Sequence, residues 1–171
     1  MHRGDPDRAS ALLDEALDLA RTTDVGFHLL DRIYGTRITL AADPEEALAT
    51  VAEAEASVRG PLETCPGCRI TFAVPAAIAS ARAGAIEEAA VLARASAYLA
   101  HVVMRLPAWD AAHDEVLAHL ALAKGDVAEG VARSSAAVAG FAAAGQPLDE
   151  RRCRDLVATT RGERSRNAAR G

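Results

Sequence analysis

Ala42-Asp43-Pro44-Glu45-Glu46-Ala47 reads as a turn followed by the opening of a helix. Asp43 is an N-cap whose side-chain oxygen takes an orphan backbone N–H. Pro44 costs nothing in a first turn, where its missing N–H has no partner to lose. Related stretches stand at Gly4-Asp5-Pro6-Asp7-Arg8-Ala9, Gly84-Ala85-Ile86-Glu87-Glu88-Ala89 and Gly125-Asp126-Val127-Ala128-Glu129-Gly130. Aligned on Asp5, Asp43, Ala85 and Asp126, they are separated by steps of 38, 42 and 41 residues. A period near 40 filled with helical sequence marks a helix-pair repeat. Such arrays mostly bind, and few catalyse.

Composition agrees with that reading. Half of the 171 residues are apolar but only 4% are aromatic, so the apolar content is chiefly Ala, Leu and Val. Ala and Leu favour helix, and residues that favour sheet are scarce. The expected fold is all-α, an antiparallel helix-pair solenoid of about eight helices over residues 1–160, followed by an Arg-rich, disordered tail at 161–171. No apolar run approaches the roughly 18 residues of a membrane span. The first residues lead into an amphipathic segment with acids throughout, unlike a signal or transit peptide. A cytoplasmic protein is therefore expected.

The net charge of −5 argues against nucleic acid as the direct partner. The charge is unevenly spread. Residues 1–149 carry a net of −9, whereas 150–171 carry seven Arg against Glu150, Asp155 and Glu163, a net of +4.

The pattern predicts helices over about 6–21, 25–41 and 44–58, with Arg59-Gly60-Pro61 as a stop. The next begins somewhere after Leu62, with Pro66 suited to a first turn and Pro75 a kinking residue inside. Further helices are predicted over about 86–104, 108–124, 126–144 and 148–160. The repeat carries an internal check. Ala9, Ala47, Ala89 and Gly130 stand four residues after the alignment points, and Ala16, Ala54, Ser96 and Ala137 eleven after. Their spacing of seven puts both positions on one helix face, where small side chains permit close packing.

Certain stretches carry a resemblance. They are Ala79-x-Ala81-Arg82-Ala83-Gly84, Trp109-x-x-Ala112 with Ala121-x-Ala123-Lys124-Gly125-Asp126, and Phe141-x-x-x-Gly145-x-Pro147-Leu148-x-x-x-Arg152-Cys153. With the period, they resemble tetratricopeptide-type repeats in a longer form. More narrowly, they resemble the repeat region of large actinobacterial MalT-like or LuxR-type ATP-dependent transcriptional regulators and of some cyclase-linked relatives. The chain has no GxxxxGK[ST] phosphate loop and leaves no room for an added DNA-binding domain after Arg161. The resemblance thus implies a sensor or scaffold portion. It also implies that Arg32, Arg37, Arg69 and Arg82, on first helices of pairs, line a concave groove. Guanidinium groups there would bind carboxylate or phosphate bidentately.

Cys65-Pro66-Gly67-Cys68 is the sharpest local motif. A CxxC pair serves as a redox couple or as half of a zinc site, or consists of incidental half-buried thiols. Zinc wants about two further ligands, and none follows at compact spacing. Cys153 reads as a small core residue. His2, His28, His101, His113 and His119 form no metal-binding pair by spacing. Asp110, Asp114 and Glu115 form an acidic site only if they line a groove. Trp109, Tyr34, Phe27, Phe72, Tyr98 and Phe141 read as core.

By the repeat phase the chain opens on the second helix of a pair. Leu12, Leu13 and Leu17 then lack a cover on one side, which predicts self-association through this end or a place within a larger regulator. The expectation is a non-catalytic module, without cofactor, that binds a protein or peptide in bacterial regulation. The alternatives are a small-molecule sensor with its ligand in the groove, and a redox or zinc protein centred on Cys65 and Cys68.

Overall fold

The computed structural model describes residues 5–23, 26–57 and 65–168. All regular structure among them is helical: α1 (Pro6–Thr22), α2 (Phe27–Leu40), α3 (Pro44–Ala56), α4 (Pro66–Arg82), α5 (Ile86–Tyr98), α6 (Pro107–Ala123), α7 (Val127–Ala143) and α8 (Pro147–Ala168). A π-helical turn, Leu99–Met104, continues α5. The Arg59-Gly60-Pro61 stop lies outside the described residues.

The caps follow the sequence. Asp5, Asp43 and Asp126 accept the backbone N–H of Arg8, Glu46 and Glu129 at 3.0, 2.9 and 3.1 Å. Glycines end three helices. Gly84, Gly125 and Gly145 have φ of 77°, 81° and 69°. The residue after each donates its N–H back across the last turn, Ala85 to Ser80, Asp126 to Ala121 and Gln146 to Phe141, each at 2.9 Å. This is the Schellman closure, which needs a left-handed residue and therefore favours glycine.

Helices α2–α3, α4–α5 and α6–α7 are antiparallel pairs, and first helices stack on first helices: α2 on α4, α4 on α6. α1 lies against α2, and α8 closes the other end against α7. The small residues mark the packing. Ala47, Ala89, Gly130, Ala54, Ser96 and Ala137, all in complete pairs, are buried. Ala9 and Ala16 on α1 are only half-buried.

α4 is the hub, buried nearly all round. One side, with Phe72, Ala76 and Ala79, joins a core with Tyr34, Ile38 and Leu17. The other, with Ile70, Ala73, Val74 and Ala77, joins a core with Val116, Phe141 and Cys153. Leu92 of α5 touches both.

Two expectations change. The last helix does not end near Thr160 but runs to Ala168, since Arg and Glu are good helix formers and no proline interrupts them. Tyr98 is exposed rather than core. Val91 and Val102 are likewise exposed.

Candidate functional site

The four arginines expected to share a groove are dispersed. Arg37 of α2 reaches Asp14 of α1 at 3.3 Å. Arg69 of α4 reaches Asp31 at 3.1 Å and also Glu55, while its guanidinium carbon lies 4.2 Å from the Phe72 ring centre. The charge of Arg32 acts to lower the pKa of both cysteines of the CPGC turn. Arg82 is exposed in the last turn of α4, at the opposite end of the helix from Arg69. Arg37 and Arg69 thus tie helices together, so no shared anion cradle forms from the four.

The three leucines of the first helix also part company. Leu17 is core at 3% exposure and Leu13 packs partly against the same core, whereas Leu12 is 56% exposed. The exposed apolar residues at this end are Leu12, Leu19 and Leu29. Leu12 and Leu19 are seven apart and share a helix face. Inside, the Tyr34 hydroxyl ties the first three helices. It accepts from Arg21 at 2.9 Å and Ser57 at 3.0 Å and donates to Glu53 at 3.0 Å.

The acids near the start of α6 do not line one groove. Asp110 meets His101 at 2.8 Å, Asp114 meets Arg133 at 3.0 Å, and Glu115, 1% exposed, is clasped by Arg152 of α8. That clasp is a fork, Nε to Oε1 and Nη2 to Oε2, both at 2.6 Å. Burial works to lower the Arg152 pKa, but the Glu115 carboxylate, with Asp149, overcomes it and raises it. Beside this pair, burial and the Glu115 charge push the Cys153 thiol up to about 12. Cys153 is therefore an inert core residue.

Spacing did not reveal one cluster. The wider π-turn carries His101 toward α6, where its ring meets His113 edge-on with centroids 5.2 Å apart. His113 Nδ1 shares a hydrogen bond with Ser96 at 2.8 Å. Ser96 is fully buried, so this is an internal polar contact rather than an accessible nucleophile. Arg105, with φ of 52°, ends the turn in a left-handed conformation unusual for a side-chain-bearing residue. Among the described residues no group of three His, Cys, Asp or Glu is arranged to hold a metal ion.

The histidines make stability pH-dependent. Burial first, then the neighbouring His101 charge, lowers the His113 pKa; Arg133 adds to this, while Asp114 and Asp110 oppose. Burial also lowers that of His119, with Glu115 opposing and Arg82 and Arg152 adding. A depressed folded pKa means that unfolding takes up a proton once pH falls below the unfolded value of 6.5. The stability these neutral rings contribute is complete above that value. It declines as pH falls toward the folded values, by up to about 1.4 kcal/mol per pH unit per ring. Urea midpoints are expected to fall steadily from about pH 7 to about pH 5, with a shallower slope in His113→Gln. A midpoint constant over that range would contradict the assignment.

Cys65 and Cys68 do come together, at the first turn of α4. Cys65 is the N-cap, and its carbonyl accepts the N–H of Cys68 and of Arg69, both at 2.9 Å. The Cys65 side chain makes no capping hydrogen bond to the backbone. The adjacent Cys68 thiol and backbone, with Gly67 and the Arg32 charge adding, hold the Cys65 thiol below its usual pKa, whereas burial and then the Cys65 thiol raise that of Cys68.

Compared with known proteins, the chain matches no protein-family model, no curated protein and no solved structure. Its class is the one the fold defines, an all-α protein of stacked antiparallel helix pairs. No helix among the described residues is long and apolar enough to cross a membrane.

Proposed function

We propose that this chain is a non-catalytic helical-repeat module that binds a protein or peptide partner in bacterial regulation, in the cytoplasm. The observation that carries the reading is the apolar exposure at the first-helix end. Leu12, Leu19 and Leu29 are each at least half exposed beside a well-packed core. Large apolar side chains grouped on one end of a stack are a common mark of an interface. The curved surface of stacked helix pairs suits an extended partner. The tetratricopeptide-like motifs ending in Arg152-Cys153 supply the regulatory setting.

The occupant of this end is a second copy or another regulatory protein. Photo-crosslinkers placed at positions 12 and 19, with the captured chain identified by mass spectrometry, test the reading. A reproducible captured chain is expected, lost in Leu12→Asp/Leu19→Asp while the helical melting curve is unchanged. No captured chain, together with a clean monomer at high concentration by sedimentation, would overturn it. The small-molecule alternative finds less support, because Arg37 and Arg69 are already held by carboxylates of the chain.

A further inference from the structure

The CPGC turn lies away from the exposed leucines in sequence and role, and the inference drawn from it does not depend on the binding function. We propose that Cys65 and Cys68 form a thiol–disulfide exchange site whose co-substrate is a small-molecule disulfide. Cys65 is the attacking thiol and Cys68 the resolving one.

Three features of the site point this way. First, the backbone already brings the pair within disulfide reach. The Cys68 N–H to Cys65 carbonyl bond of 2.9 Å closes a single tight turn. Such a turn keeps its end Cα atoms under about 7 Å, and disulfides span about 4.4–6.8 Å. Second, the environment is electropositive from two independent sources. Cys65 stands at the N-terminus of the 17-residue α4, the positive end of the helix dipole, and the guanidinium charge of Arg32, from α2, acts to lower the pKa of both thiols. Third, both thiols are partly exposed, whereas Cys153 is fully buried. The third cysteine therefore serves as an internal control.

The division of labour follows from position. Cys65 stands at the N-terminus of α4, and its thiol is pushed below its usual pKa, which favours the thiolate. Cys68 is more desolvated, and burial pushes its thiol up. In the exchange, the Cys65 thiolate attacks one sulfur of R–S–S–R, forming a Cys65–S–R bond and releasing R–S⁻. Cys68 then loses its proton to solvent and attacks Cys65 Sγ, forming the Cys65–Cys68 bond and releasing the second R–S⁻. Both thiolates leave as thiols after taking protons. The protein dithiol is oxidised by two electrons and the small disulfide is reduced by two.

The test treats the native full chain with glutathione disulfide near neutral pH and follows intact mass and peptide maps. Wild type is expected to become two hydrogen atoms lighter, with only transient addition of one glutathione. In Cys68→Ala the glutathione adduct at Cys65 should persist. In Cys65→Ser, where serine keeps a good N-cap, reaction at Cys68 should be at least about tenfold slower. Cys153 should react only after denaturant is added. Lasting glutathione adducts on wild type, or Cys68 reacting as fast alone as Cys65 does, would overturn the proposal. Arg32→Gln supplies a second reading that leaves the cysteines in place. Its Cys65 adduct should form several-fold more slowly, and an unchanged rate would remove Arg32 from the site.

Discussion

Gly35→Ala is expected to be among the most damaging single methyl additions in the protein, costing about 2–4 kcal/mol. A Cβ at Gly35 would stand 1.9 Å from the Thr71 carbonyl oxygen and 2.8 Å from its carbon. Both are backbone atoms of α4, so no side chain can swing away. Separating α2 from α4 would open the core around Tyr34 and Phe72. The close approach has a local cause. Pro75 lies four residues after Thr71 and has no N–H to give that carbonyl. That oxygen faces Gly35, whose lack of a side chain leaves room for the close approach and whose Cα–H is the donor in the weak C–H···O contact. Alanine's better helix propensity returns only about 1 kcal/mol. Gly162→Ala is the control, since a Cβ there meets nothing within 4 Å. It should stabilise by about 0.5–1 kcal/mol. Urea unfolding at one pH checks both, and equal effects from the two variants would refute the explanation.

Arg152→Leu is expected to cost about 2–4 kcal/mol, lowering the melting temperature by several degrees. It strands the buried Glu115 carboxylate, which loses both arms of the fork at 2.6 Å. The Arg152 side chain is 47% exposed, so water takes up part of the loss and the lower half of that range is the better expectation. The double variant Glu115→Leu/Arg152→Leu should recover most of it. A buried pair exchanged for apolar residues is often neutral, whereas half a pair is costly. A double-mutant cycle by thermal denaturation reads the coupling directly. Additive losses would mean that the fork does not hold α8 on the stack.

Much of the architecture was legible in the residues before the fold was known. Asp5, Asp43 and Asp126 cap as their type and position require. Gly84, Gly125 and Gly145 end helices because closure needs a left-handed residue. The small residues spaced seven apart on α3, α5 and α7 are buried. These are local rules, satisfied within one or two turns of chain. Arg32, Arg37, Arg69 and Arg82 looked like a groove lining because the phase put them on first helices. Asp14, Asp31 and Glu55, the partners of Arg37 and Arg69, lie on neighbouring segments whose orientation no period encodes. The His101–His113 contact was hidden for a similar reason. A π-turn shifts the helix register at Leu99–Met104, so α-helical counting misplaces His101.

The cysteines divide between the two kinds of information. Their CxxC spacing and the helix-starting Pro66 were visible, and with them the pairing at an N-terminus. That the charge of Arg32 from another helix acts on the cysteines, and that Cys153 lies sealed beside Glu115, depended on how α2, α6 and α8 pack. Sequence by itself determined the helices and most of their ends, the end of α8 and the π-turn excepted, because caps, glycines and apolar spacing act over a few residues. The tertiary structure alone decided which charges meet and which leucines stay outside. It also decided that Gly35 must be glycine, because each of these depends on contacts between residues far apart in the chain.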